Sequence, residues 1–184
     1  MSEAIIEIPK VLFATAESSY FEGTLTQESL EAGPDVYTFD EPLSWNVTIS
    51  NTGEALLVDG TVSAVGATQC ARCLEPIEYD LEGRIEGYYV LPGADDPEDM
   101  DDDEFERLPG NNVIDLSPLI TAALLVDIPL LPLCSDDCKG ICPDCGINLN
   151  EESCDCAEKR AAQQQADEEA ANPFAALKDV KFDE

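Results

Sequence analysis

The chain has 184 residues, of which 44% are hydrophobic, so it can bury one core of ordinary domain size and still carry a small appendage. Its 40 acidic residues against 9 basic ones give a formal net charge of -31. Binding to a phosphate backbone relies on Lys and Arg displacing counterions, so this balance argues against a nucleic-acid grip spread over the whole surface. It favours steering of basic partners such as ribosomal or other nucleic-acid-binding proteins, or service to solubility or salt adaptation alone.

The opening MSEAIIEIPKVLF lacks the basic stretch and apolar run of a secretory leader. The longest apolar segment, Leu116 to Leu133, is interrupted by Ser117, Pro118, Thr121, Asp127, Pro129 and Pro132. It falls short of the roughly 18 uninterrupted apolar residues a membrane helix needs, and the expectation is a cytoplasmic protein with no membrane partner.

Ile5, Ile6 and Ile8 form a short apolar edge, and a strand is expected around Ser19 to Leu25. Leu43, Trp45, Val47 and Ile49 alternate with polar residues, the period of a half-buried strand. Asn51-Thr52-Gly53 supplies turn chemistry before Leu56-Leu57-Val58, and Val62 and Val65 continue that strand. Ile77, Tyr79 and Leu81 alternate again, leading into Ile85 and Tyr88-Tyr89-Val90. Three long antiparallel strands thus account for residues 43 to 90. Residues 92 to 107 hold nine carboxylates and one arginine, a self-repelling block read as a solvated loop. Ser117 as cap and Pro118 at the first position open a helix over about 117–127, covering one face of the sheet.

The fold class expected is α+β, mainly β: an antiparallel sheet or partly open barrel with one covering helix. Residues 1–133 make up this domain, 134–156 a small cysteine-rich zinc knot, and 157–184 a helical or flexible tail. The tail closes on Asn172-Pro173-Phe174-Ala175-Ala176-Leu177, where Phe174 and Leu177 are the anchors.

All eight cysteines fall in two places. One is Cys70-Ala71-Arg72-Cys73; the other holds Cys134, Cys138, Cys142, Cys145, Cys154 and Cys156. In a reducing compartment such clusters bind metal more often than they form disulfides. Cys142-Pro143-Asp144-Cys145-Gly146 places two sulfurs within reach of one ion, and Gly146 permits the tight turn beyond them. With no histidine in the chain, a structural site must be all-cysteine. The preferred zinc ligands are Cys142, Cys145, Cys154 and Cys156, with Cys134 and Cys138 as alternatives for the second pair. Cys70 and Cys73 are candidates for half of a second site alongside two leftover C-terminal cysteines. A redox role for that pair requires a helix after Cys70, whereas Glu75-Pro76-Ile77 leads into a strand. Without histidine there is no Ser-His or Cys-His dyad, and no phosphate-cradling glycine loop occurs, so the reading is non-enzymatic.

The run Pro132 to Asn150, closing with Cys154-Asp155-Cys156, resembles the C-terminal signature of the YceD family, the large ribosomal RNA subunit accumulation proteins. Cys70-Ala71-Arg72-Cys73-Leu74 and the Asn172-Pro173-Phe174 tail are similar to the family's other hallmarks. The resemblance implies a role in 23S rRNA accumulation and large-subunit assembly. The charge then suggests binding of a basic ribosomal protein or assembly factor rather than of rRNA itself. Two rivals stand beside it: an RNA-binding zinc module using Arg72, Lys139, Lys159 and Arg160, and a thiol redox or metal-transfer protein.

Overall fold

A computed structural model describes residues 4–171, with side chains through Asp167. The Asn172–Leu177 tail motif lies outside the described residues. The chain divides into two compact units: residues 1–69 with 76–132, and Cys70–Glu75 with the chain from Leu133 onward. Cys70–Glu75 therefore groups with the C-terminal cysteines rather than with the strands that flank it in sequence.

The first unit is built on an open antiparallel sheet. Leu43–Asn51 (β5), Ala55–Gln69 (β6) and Pro76–Val90 (β7) are the three long strands expected over residues 43 to 90. β6 and β7 pair from Ala55↔Val90 to Gln69↔Pro76, and β5 lies on the other side of β6. In β5 the residues Leu43, Trp45, Val47, Ile49 and Asn51 are buried, which is the alternation visible in sequence. Asn51 is the polar member of that row. Its side-chain amide donates to the Leu12 carbonyl at 2.6 Å, and its Oδ1 accepts the Gly53 N–H at 2.6 Å, so burial leaves neither end unpaired.

Ser18–Leu25 (β2) pairs with β5 and forms the end of the sheet. Ser29–Ala32 (β3) and Asp35–Thr38 (β4) form a hairpin that joins β6 through Thr38↔Ala67. This hairpin is an addition to the strands expected from sequence. Its two turn residues are Gly33 and Pro34, and Gly33 sits at φ 64°. Since proline cannot follow it into positive φ, the turn is of the type with glycine at its first central position. Ile5–Glu7 (β1) and Val113–Asp115 (β9) make a separate two-stranded ladder whose Ile6 and Ile114 enter the core.

Of the acidic block only the end is regular: Glu106–Arg107 (β8) runs parallel to Tyr89–Val90. Buried Leu108 anchors that end of the segment, and its N–H donates to the Val90 carbonyl at 2.9 Å. Arg107 also bonds to Asp96 within the block.

Ser117–Asp127 (α1) covers β7. Close approach depends on glycine: a Cβ on Gly83 would lie 2.5 Å from the Ala123 carbonyl, and one on Gly87 would lie 2.8 Å from Leu119 Cδ1. The helix opens differently from the cap expected. Ser117 is its first residue, and its N–H donates to Asp115 Oδ1 at 2.9 Å, so a carboxylate two residues upstream does what the serine hydroxyl was assigned. At the other end the Asp127 carboxylate accepts the Glu82 N–H at 2.9 Å.

Candidate metal centres

The second unit is organised around two turns of one design. In Cys70-Ala71-Arg72-Cys73-Leu74-Glu75, the Leu74 N–H donates to the Cys70 carbonyl at 2.9 Å, and the Cys70 N–H to the Glu75 carbonyl at 2.8 Å. In Cys142-Pro143-Asp144-Cys145-Gly146-Ile147, the Gly146 N–H donates to the Cys142 carbonyl at 2.9 Å, and the Cys142 N–H to the Ile147 carbonyl at 2.8 Å. The offsets are identical. Both turns also need a left-handed residue after the second cysteine: Gly146 at φ 75° and Leu74 at φ 63°. Glycine takes that conformation freely, whereas leucine accepts about 1–2 kcal/mol of backbone strain.

Each turn meets a second pair of cysteines. Cys70, Cys73, Cys134 and Cys138 converge in one cluster, and Cys142, Cys145, Cys154 and Cys156 in another, with the sulfurs of each cluster all within 4.8 Å of one another. In the first, Cys70 Sγ lies 3.8 Å from Cys138 Sγ and Cys73 Sγ 3.6 Å from Cys134 Sγ. None of the eight is bridged by a disulfide, which needs sulfurs at about 2.05 Å. Four sulfurs held about 2.3 Å from one ion in a tetrahedron stand about 3.8 Å apart. The spacing observed is that of a metal-ligand set, and both clusters can hold an ion.

The thiols respond to this crowding. Burial disfavours the Cys70 thiolate, but the backbone N–H groups of Cys73, Cys134 and Arg72 point at it and hold its pKa near 6. At Cys142 the N–H groups of Cys145 and Asp144 act the same way, bringing it to about 6. Cys73 accepts the Glu75 N–H, yet burial and the neighbouring sulfurs of Cys70, Cys134 and Cys138 push it up to about 12. Cys156, against Cys145 and Cys154, is pushed to about 12 as well. Cys134 is raised by Cys138; Cys138 is lowered by the Asn150 side chain. Several thiolates packed together repel, so some keep their protons until a cation enters.

The first cluster is tied together by groups outside it. Arg72 Nη1 donates to the Cys138 carbonyl at 2.9 Å, while the Arg72 carbonyl accepts the Ile141 N–H at 3.1 Å. Gly140, at φ 74°, lets these strands of chain approach, since a Cβ there would lie 2.9 Å from the Arg72 oxygen. Asn150 accepts the Lys139 N–H at 2.8 Å and aims its side-chain amide at Cys138 Sγ, 3.4 Å away. Asn148 orients that amide, its Oδ1 lying 3.0 Å from Asn150 Nδ2. These two asparagines were not singled out in the sequence; an Asn-x-Asn pair beside a cysteine run was the available signal. Arg160 pairs with Asp144 at 2.8 Å. Two of the four cations proposed as a local basic patch are thus engaged within the unit. Cys156–Ala171 (α2) carries the last cysteine, half-buried, at its start and is exposed from Ala157 through Asp167, as its polar composition implies.

Two four-cysteine clusters on matched turns, together with an open antiparallel sheet, define a mainly β protein bearing a cysteine metal-site module. The family model for the large ribosomal RNA subunit accumulation protein YceD matches residues 58–181, a span that contains both clusters and most of the chain. This chain belongs to the YceD family. An uncharacterised protein of Mycobacterium tuberculosis strain ATCC 25618 / H37Rv is 33% identical over 110 residues, covering 60% of this chain and 53% of that relative. The chloroplastic large ribosomal RNA subunit accumulation protein YCED homolog 1 of Arabidopsis thaliana is 28% identical over 148 residues, 67% of this chain and 46% of the plant protein. Its Zea mays counterpart is 28% identical over 142 residues, with 62% and 48% covered. The chain spans about half the length of the curated relatives it matches. No solved structure matches it.

Proposed function

We propose that this protein is a non-enzymatic ribosome-biogenesis factor of the cytoplasm, supporting 23S rRNA accumulation and large-subunit assembly. It does so by holding a basic ribosomal protein or assembly factor against its acidic surface. The observation that carries this reading is the YceD match across residues 58–181, joined to a formal charge of -31. Such a field attracts basic proteins from a distance and disfavours the phosphate backbone.

In this reading each four-cysteine cluster holds one zinc ion, with Cys142, Cys145, Cys154 and Cys156 as one ligand set and Cys70, Cys73, Cys134 and Cys138 as the other. Zinc suits four thiolates in a closed tetrahedron, with no open position for chemistry, so both ions are structural. The engagement of Arg72 and Arg160 inside the unit weighs against the alternative RNA-binding module.

The test is retention of purified ribosomal proteins on immobilised protein at graded salt, beside gel-shifts with large-subunit rRNA. Salt-sensitive capture of one or a few basic proteins, with no rRNA shift near physiological salt, is expected. Capture of rRNA alone would replace this reading with the RNA-binding one.

A further inference from the structure

The two sheets of the first unit each leave a strand edge open toward one groove. In β1, the Leu116 N–H donates to the Ala4 carbonyl and the Ile8 N–H to the Asn112 carbonyl. Alternation of an antiparallel ladder then aims the main-chain groups of Ala4, Ile6 and Ile8 at β9, and those of Ile5 and Glu7 away from it. In β2, the Asn51 N–H donates to the Glu17 carbonyl, so the same alternation turns residues 19, 21, 23 and 25 toward β5. The main-chain groups of Tyr20, Glu22 and Thr24 face outward. β2 pairs with no other strand, and these outward groups have no hydrogen-bond partner among the described residues.

β1 and β2 wall a common groove of about 380 Å³. Its charged side chains, Glu7 and Glu22, are both carboxylates and both exposed. At its base Trp45 lies against Gly23, where a Cβ would come within 2.6 Å of the indole. The Trp45 N–H is buried and without a hydrogen-bond partner among the described residues. A row of unpaired main-chain groups, a partnerless buried donor and flanking carboxylates are complementary to one kind of ligand.

We infer that the groove takes an extended segment of a basic partner protein as an added strand along β2, its lysines or arginines alternating with apolar residues. The apolar face of that segment packs on Phe21 and Trp45, and the basic face meets Glu22 and Glu7. Main-chain pairing supplies affinity and the alternating side chains supply selection. A second copy of this chain is a poor occupant, because pairing two β2 edges brings like charges together between molecules of charge -31. This inference rests on the proposed holding of a basic partner and names where and how it is held.

The test combines Thr24→Pro with amide exchange on the full-length protein. Proline at position 24 removes an outward N–H and no bond to β5, so native pairing survives, as unchanged exchange in residues 43–51 will verify. Glu22→Lys is the second variant and needs no backbone change. The probe is a short synthetic peptide alternating Lys with Val, against a control alternating Glu with Val. The Lys peptide should slow exchange at Tyr20, Glu22 and Thr24, and both variants should weaken it by about tenfold or more. The same variants should lose the captured basic ribosomal proteins. Equal capture by wild type and both variants, with no protection of the β2 amides, would overturn the groove while leaving the acidic-holder reading intact. Failure of wild type to capture any basic protein would remove that reading and this inference together.

Discussion

The pairing of Cys70 and Cys73 with Cys134 and Cys138 makes a prediction about counting. If each cluster is a tetrahedron around one zinc ion, with sulfurs about 3.8 Å apart, the protein carries about two ions per chain. The observed separations of 3.8 Å for Cys70–Cys138 and 3.6 Å for Cys73–Cys134 match that edge length, and the other sulfur pairs of the cluster lie within 4.8 Å. Cys73→Ser should remove one ion, and Cys134→Ser should remove the same one. The double variant Cys73→Ser/Cys134→Ser should therefore still hold the ion of the other cluster. Cys73→Ser/Cys156→Ser should hold neither. Metal content per chain, by elemental analysis of protein purified without added metal, reads all four variants. A Cys73/Cys134 double variant empty of metal, or a Cys73/Cys156 double variant that keeps one ion, would refute the partition of the eight thiols.

Metal uptake should expel protons, because Cys73 and Cys156 near 12 and the raised Cys134 and Cys154 are protonated at neutral pH, whereas Cys70 and Cys142 near 6 are not. At least two protons per ion should be released, so affinity rises with pH and falls on acidification; calorimetry in buffers of different ionisation enthalpy measures this. Asn150→Leu removes the N–H aimed at Cys138 Sγ and should weaken the first cluster's ion by about 10–100-fold in a chelator competition, with the second cluster unaffected. Gly83→Ala drives a methyl to within 2.5 Å of the Ala123 backbone and should cost about 1–3 kcal/mol in denaturant unfolding, since α1 must move off β7.

Much of the fold is set by local pattern. The alternation through Leu43–Ile49, the Asn51–Gly53 turn and the proline-started helix at 117–127 are rules of period and backbone preference, and a single stretch of chain carries each of them. The cluster of Cys142, Cys145, Cys154 and Cys156 is local in the same sense, its ligands lying within one short segment. The β3–β4 hairpin escaped notice because its strands are only four residues each and carry little apolar contrast, leaving Gly33-Pro34 as the sole cue. Other features have no local cause. Cys70 and Cys73 lie more than sixty residues from Cys134 and Cys138, and only the folded chain brings the four together. The left-handed Leu74 is likewise imposed by the turn that presents those thiols, against the residue's own preference. Which main-chain groups of β1 and β2 face outward depends on the partner each strand has on its other side. Residue type determines what a segment can form; which strands pair and which thiols meet depends on contacts across the whole chain.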